Sequence, residues 1–388
     1  MFCVAFACAL SAVAALPAQD QPGWSKAQQK GIEFLLQRQQ EGVFSVQMGQ
    51  RSLPDPGFTA LALSALQSKP HGLRAEAEQK VITAGCRWLL NGQNEDGSFG
   101  QRVQNYTTCA VVMALARWGS EDAKPALAKA QHYILGIQNC EATGSRPADL
   151  EYGGVGYGSK GERSDLSNLQ FAIQALRDSG LSANDEAFAR AVKFLQRTQN
   201  LPSTNDQGGK LKVKNEDGSS APFAVGDDGG AMYYPGESPA GYVELPDGGR
   251  VARSYGSMTY ALLKTYTLCG LKADDARVAA AVRWIGANWT VTENPGFDPK
   301  QGETARYQGL YYYYMLLAQA LEAAKVDTVT AMRDGKPAPV AWRQQLRQQV
   351  ESLQRADGSW RNDRNGRWYE NLDLLCTCYA LLALEPCR

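Results

Sequence analysis

Four carboxylates and a group of tyrosines are the side chains on which chemistry could rest in this sequence. Asp227 and Asp228 stand side by side in a glycine-rich stretch that continues to Tyr233 and Tyr234. Adjacent acids in a poorly hydrated site can share a proton, because two like charges in contact do not both ionise cheaply. The same pair is also what a turn requires, with carboxylates accepting nearby backbone N–H groups. Asp165 and Asp373 open two strongly apolar segments. There they could face an interior, or serve as helix N-caps and first-turn acids. Of the seventeen tyrosines, Tyr311-Tyr312-Tyr313-Tyr314 form an unbroken run, and Tyr255, Tyr260 and Tyr266 follow one another along a further apolar stretch. A run of four covers every side of a helix, so at least one ring must point inward and one outward. Aromatic walls suit a cation, the face of a sugar ring, or a packed core whose hydroxyls find partners.

Several chemistries find no residues. The only histidines are His71 and His132, in a loop and on a charged helix, so a Ser-His-Asp arrangement has no base. No cysteine pair has zinc-site spacing, and Cys376 and Cys378 would point to different sides of a helix. Gly153-Gly154-x-Gly156-x-Gly158 lacks both the lysine and the strand-to-helix setting of a phosphate loop. Forty basic side chains balance forty acidic ones. That balance argues against nucleic acid, which calls for a basic stripe.

The elements that must position these residues repeat down the chain. An amphipathic helix ends in glutamine, a glycine turn with an aromatic follows, and a second helix rich in Ala and Leu begins. The clearest copy runs from Trp88-Leu89 through Gln93, Gly97 and Phe99 into Thr107-Thr108-Cys109-Ala110. Others centre on Gln39-Gly42-Phe44, Gln138, Gln199, Gly296-Phe297 and Gln354-Gly358-Trp360. First helices carry a charged face, as in Glu186 to Lys193, and must meet water. Second helices are apolar nearly all round and must be buried. Six such pairs therefore predict an all-α toroid of six helix hairpins, an inner barrel inside an outer one. An open solenoid would want a polar cap on its last repeat. The last repeat instead ends in Tyr379-Ala-Leu-Leu-Ala-Leu384, so the ring is expected to close on the first, as a monomer.

Two segments stand outside the repeat. Residues 1–18 form an alanine-rich apolar run that reads as an export signal, although no basic residue precedes Lys26. The mature ring then spans 24–388, outside the cytoplasm and with no further membrane span. Seven cysteines remain, mostly within apolar helices, where buried thiols are expected. Between Gln199 and Arg253 the fourth hairpin opens into an insertion (200–253) far longer than an ordinary connection. Lys210 to Lys214 and Tyr242 to Val251 read as β-hairpins flanking Asp227, Asp228, Tyr233 and Tyr234. The insertion is expected to fold across the rim where the inner helices start.

The string Trp88-Leu89-x3-Gln93-x3-Gly97-x-Phe99 resembles the QW motif of the squalene and oxidosqualene cyclases, which recurs in the prenyltransferase and squalene-oxidase repeat families. The resemblance covers the whole mature chain in six copies, closest to the short bacterial single-toroid members. It implies that the glutamine caps helix ends and ties neighbouring turns together. Class II terpene cyclases of this kind use an Asp-x-Asp-Asp acid to protonate an alkene or epoxide, and no such string occurs here; Asp227-Asp228 is the nearest substitute. Protein prenyltransferase β-subunits are similar in the same inner helices and hold zinc. Here Gln308, Leu310 and Cys376 stand at the ligand positions, so no zinc and no other cofactor is expected. The cysteine thioester string of complement-like toroids is also missing. Together these readings point to a small apolar or isoprenoid-like ligand in a central cavity. Asp165, Asp373, Asp227 and Asp228 are then the candidate acids, and Tyr233, Tyr234, Arg253, Tyr255, Tyr260 and Tyr311 the contacts. Two alternatives stay open: a carbohydrate-active toroid resembling the helical polysaccharide lyases, with Arg253 or a tyrosine as base and acids binding calcium, and a non-enzymatic scaffold.

Overall fold

A computed structural model describes residues 24–48, 51–214 and 218–388. The expected export signal lies outside them. Twelve α-helices follow in six pairs: α1 Lys26–Leu36 with α2 Pro56–Gln67, α3 Glu76–Asn91 with α4 Gln104–Trp118, and α5 Lys124–Ile137 with α6 Leu166–Asp178. The remaining three pairs are α7 Glu186–Thr198 with α8 Gly256–Leu268, α9 Ala276–Ala287 with α10 Leu310–Ala323, and α11 Trp342–Ser352 with α12 Asp373–Leu384.

The second helix of each pair packs on the next in a closed cycle, α2–α4–α6–α8–α10–α12 and back to α2. The inner helices run parallel. Asn105 near the start of α4 bonds Asn168 near the start of α6, and at the other ends Gln67 of α2 donates to the Ala114 carbonyl of α4. This is the α/α toroid that the repeat predicts. Burial follows the pattern expected from composition: α8 and α12 bury most of their residues, whereas α7 buries one face that includes Phe188, Ala191, Phe194 and Leu195 and exposes its charged face.

Side-chain amides lock neighbouring hairpins. Gln93 donates to the Gly97 carbonyl of its own turn at 3.0 Å and to Ala126 of the next outer helix at 2.8 Å. Gln138 does the same to Gly153 and Ala187, and Gln199 to Gly229 and Arg277. Gln354 completes the circle, reaching Gly358 at 3.0 Å and Ala27 of α1 at 2.7 Å. The turn glycines have positive φ, and a Cβ on Gly97, Gly153, Gly229 or Gly358 would strike a carbonyl of the next outer helix. Glycine is therefore needed for close approach as well as for conformation. A threonine of the inner helix receives the backbone N–H of the turn residue two places after the glycine: Thr59 from Phe44, Thr108 from Phe99, Thr259 from Ala231 and Thr377 from Trp360. Gln39 departs from the pattern, since its amide stays within its own turn, on Gly42 and Leu36.

Among the described residues, four small antiparallel sheets decorate the ring. β1 (Gln39–Gln40), β2 (Val43–Met48) and β3 (Arg51–Pro54) build one in the first hairpin. In the insertion, β4 (Lys212–Lys214) pairs with β5 (Ser220–Pro222), and β6 (Tyr242–Glu244) with β7 (Arg250–Ala252). A hairpin of β8 (Val329–Arg333) and β9 (Lys336–Val340), unforeseen from sequence, packs on α9. Among the described residues all seven cysteines are free, and no helix is long and apolar enough to cross a membrane.

Candidate functional site

Helical spacing fixes which side chains reach the axis of the ring. On α4 the inward stripe is Tyr106, Ala110, Met113 and Arg117, at i, i+4, i+7 and i+11. On α6 it is Ser167, Phe171, Gln174 and Asp178. Tyr106, Tyr312 and Tyr379 are hemmed in by protein yet keep part of their surface accessible.

These rings form a belt. Tyr106 meets Phe171 edge-on at 5.3 Å, Phe171 stacks on Tyr312 at 6.3 Å and 15°, and Tyr312 tilts against Tyr379 at 5.8 Å. Four of the six inner helices thus supply one aromatic each. Of the tyrosine run, only Tyr312 faces the axis. Tyr311 stands edge-on to Tyr314, and Tyr313 and Tyr314 donate to the Thr290 and Val291 carbonyls in the α9–α10 connection.

Above the belt sits Asp165, the N-cap of α6 and 2% exposed. Its carboxylate accepts from the Asn168 backbone N–H at 2.7 Å and the Asn168 side chain at 2.7 Å, with the Tyr233 hydroxyl nearby. Burial pushes its pKa up, against these hydrogen bonds. The Tyr233 hydroxyl also meets that of Tyr157 at 3.2 Å, and its carbonyl accepts the Leu166 N–H. The insertion therefore folds over the start of α6.

Below the belt the lumen is crossed by polar side chains. The Tyr312 hydroxyl lies 2.8 Å from Ser167 and accepts from Gln170 at 3.1 Å, reaching across from α10 to α6. Lys264 of α8, 3% exposed, donates to Gln170 at 3.1 Å and Gln319 at 2.8 Å. Burial lowers its pKa to about 8, partly opposed by Asp178 and reinforced by Arg117. At the far pole Arg117 and Glu385 form a two-point ion pair at 2.9 Å.

Of the candidates from sequence, Asp165 and Tyr233 come together, with Tyr255 buried within electrostatic reach of Asp165 and Tyr312. The others lie elsewhere. Asp228 accepts from the Gly230 N–H and Ser254, the position that Asp96 and Asp357 occupy in their own turns. It is the turn aspartate of the fourth hairpin, and Asp227 beside it is exposed. Asp373 is a first-turn acid without a capping bond, paired with Arg355 at 3.4 Å and Arg361 at 3.8 Å. Tyr234 donates to Glu151 at 2.6 Å under the Arg163 guanidinium. Arg253 is tied to the Tyr242 carbonyl and to Asp298. Tyr260 packs edge-on against Tyr313, away from the axis.

Sequence reasoning passed over Tyr106, Phe171, Tyr379, Lys264 and Glu370, and from the tyrosine run it named Tyr311 as a contact where the structure turns Tyr312 inward. Lys264 had a signal, being the only charged residue of α8. Glu370 is 1% exposed and accepts from the Tyr312 backbone N–H in the first turn of α10 at 2.8 Å and from Asn362 at 2.7 Å. Burial raises its pKa to about 7. Among the described residues no three His, Cys, Asp or Glu side chains stand close enough together to hold a metal ion.

Residues 73–211, from just before α3 to just after α7, match the family model of the squalene-hopene cyclase C-terminal domain. No curated protein matches the sequence. Among solved structures, the type II terpene cyclase MstE from Scytonema in its apo form is 14% identical, with 92% of this chain and 96% of that chain covered and a TM-score of 0.48. A variant of that enzyme in complex with geranylgeranyl dihydroxybenzoate, its substrate, is 15% identical over 93% and 96%, with a TM-score of 0.46. A protein from Actinoplanes is 15% identical over 93% and 98%, with a TM-score of 0.47. The matched segment covers α3 to α7 of the ring, and the six helix pairs form the α/α toroid that the sequence resemblance implies.

Proposed function

We propose that this squalene cyclase-like toroid holds an apolar, isoprenoid-like small molecule in the N-terminal half of its lumen, beneath the insertion. The belt of Tyr106, Phe171, Tyr312 and Tyr379 carries this reading. Partly accessible rings enclosed by protein offer a ligand dispersion contact and a face for any positive charge it develops. Asp165 accepts both the backbone and the side-chain N–H of Asn168, so its carboxylate is held where it stands, and its part is to keep Asn168 in place at the mouth, beside Tyr233. Export, and action as a single ring, belong to the same proposal. They are checked by finding the full-length and processed N-termini and by light scattering.

One observation favours a scaffold instead: the Ser167–Tyr312 and Lys264–Gln170–Gln319 bonds span the lumen and brace the ring from within. Equilibrium dialysis of the purified chain against geranylgeraniol separates the two. Saturable binding is expected, weakened about tenfold by Phe171→Ala, the scale of one lost aromatic contact. Absence of saturable binding to the wild type refutes the ligand reading and leaves the scaffold.

A further inference from the structure

We propose that Lys264 is a covalent docking point, its ε-amine condensing with the carbonyl of an apolar aldehyde that lies along the aromatic belt to form an imine. The inference rests on the ligand reading above and names the reactive end of the molecule.

Lys264 is set apart by its surroundings. It is buried in the wall of the lumen, and both its bonds go to neutral amide oxygens, Gln170 on one neighbouring helix and Gln319 on the other. No carboxylate of the described residues lies within ion-pair distance of it. A buried ammonium of this kind has three hydrogens and, here, two acceptors. Gln170 in turn donates to the Tyr312 hydroxyl, so a single amide separates the amine from the belt. Desolvation is one way a protein makes a lysine nucleophilic, and it is the largest influence on Lys264, ahead of the opposing charge of Asp178 and the smaller push of the distant, Glu385-paired Arg117. With its pKa near 8, the free amine at neutral pH is on the order of a hundredfold more abundant than for an ordinary lysine.

The step balances without any further reagent. The ammonium gives up one proton, its lone pair attacks the carbonyl carbon, and the carbonyl π electrons move to oxygen. One N–H proton passes to that oxygen to give the carbinolamine, and the proton first released returns to its hydroxyl, which leaves as water while the C=N bond forms. Ammonium plus aldehyde thus becomes iminium plus water, with one positive charge before and after. Conservation of charge matters here, because Lys264 stands in the last turns of α8, where unpaired carbonyls of the inner helices favour a cation. Asp178 adds to the same field.

The test is treatment of the full chain with geranial and borohydride, followed by peptide mapping. The expected result is one reduced adduct, on Lys264, formed ahead of any on exposed lysines such as Lys160 and Lys272, and lost in Lys264→Met. The wild-type map decides the matter even if that variant folds poorly. An unmodified Lys264 in a protein that still binds geranylgeraniol, which cannot form an imine, overturns the covalent site and spares the ligand reading. An unmodified Lys264 together with no geranylgeraniol binding overturns both.

Discussion

Changing Glu370 to glutamine removes a charge that the fold has taken out of water while keeping the shape of the side chain. The carboxyl sits at the N-terminus of α10, held by the Tyr312 backbone N–H and by Asn362. Those donors favour the anion, but burial outweighs them and lifts the pKa from 4.5 to about 7. A raised carboxyl pKa means that the folded state binds the proton more tightly than the unfolded one. Stability from this group is therefore fully present below pH 4.5 and is lost as pH rises through about 7. At about 1.4 kcal/mol per unit, the loss is about 3 kcal/mol. The glutamine does not titrate. It also turns one acceptor into a donor, which costs about 1–2 kcal/mol at a buried cap. Glu370→Gln is thus expected to be less stable than the wild type at pH 4.5 and more stable at pH 8, the two curves crossing between. Urea midpoints followed by circular dichroism across that range measure it. A wild-type-minus-variant difference that stays constant with pH refutes the argument, whatever its size.

Two further substitutions test the ring and the turns. Gln354→Ala removes the bond that closes the last hairpin onto α1 and is expected to cost about 1–3 kcal/mol. Gln39→Ala, whose amide bonds stay within its own turn, should cost less in the same thermal melts, and equal losses would contradict the closing role. Asp228→Ala is expected to lower stability by about 1–2 kcal/mol and leave geranylgeraniol binding unchanged, since its carboxylate serves the Gly230 turn. Asp227→Ala should be silent in both; a binding defect in either would return these acids to the site.

Much of the architecture was legible in the residues one after another. Helix pairs, their inner and outer places and the closure of the ring follow from periodicity, from charge on one helix of each pair, and from glutamine and glycine at each turn. Those are local properties, repeated often enough to be read against one another. The insertion's hairpins were readable for the same reason. Tertiary structure decided the site. Four consecutive tyrosines look alike in sequence, and only the rotation of α10 between α8 and α12 turns Tyr312 to the axis and leaves Tyr311 in the wall. In sequence Asp228 could be half of an acid pair or a turn acid, and only its turn, matched with those of Asp96 and Asp357, shows it accepting a backbone hydrogen. Glu370 caps a helix that began sixty residues earlier, and Lys264 meets partners from helices on both sides. A side chain's charge state depends on how much water it has lost and on which groups replaced that water. In a closed ring those groups come from hairpins far apart in the chain, and no local pattern brings them together.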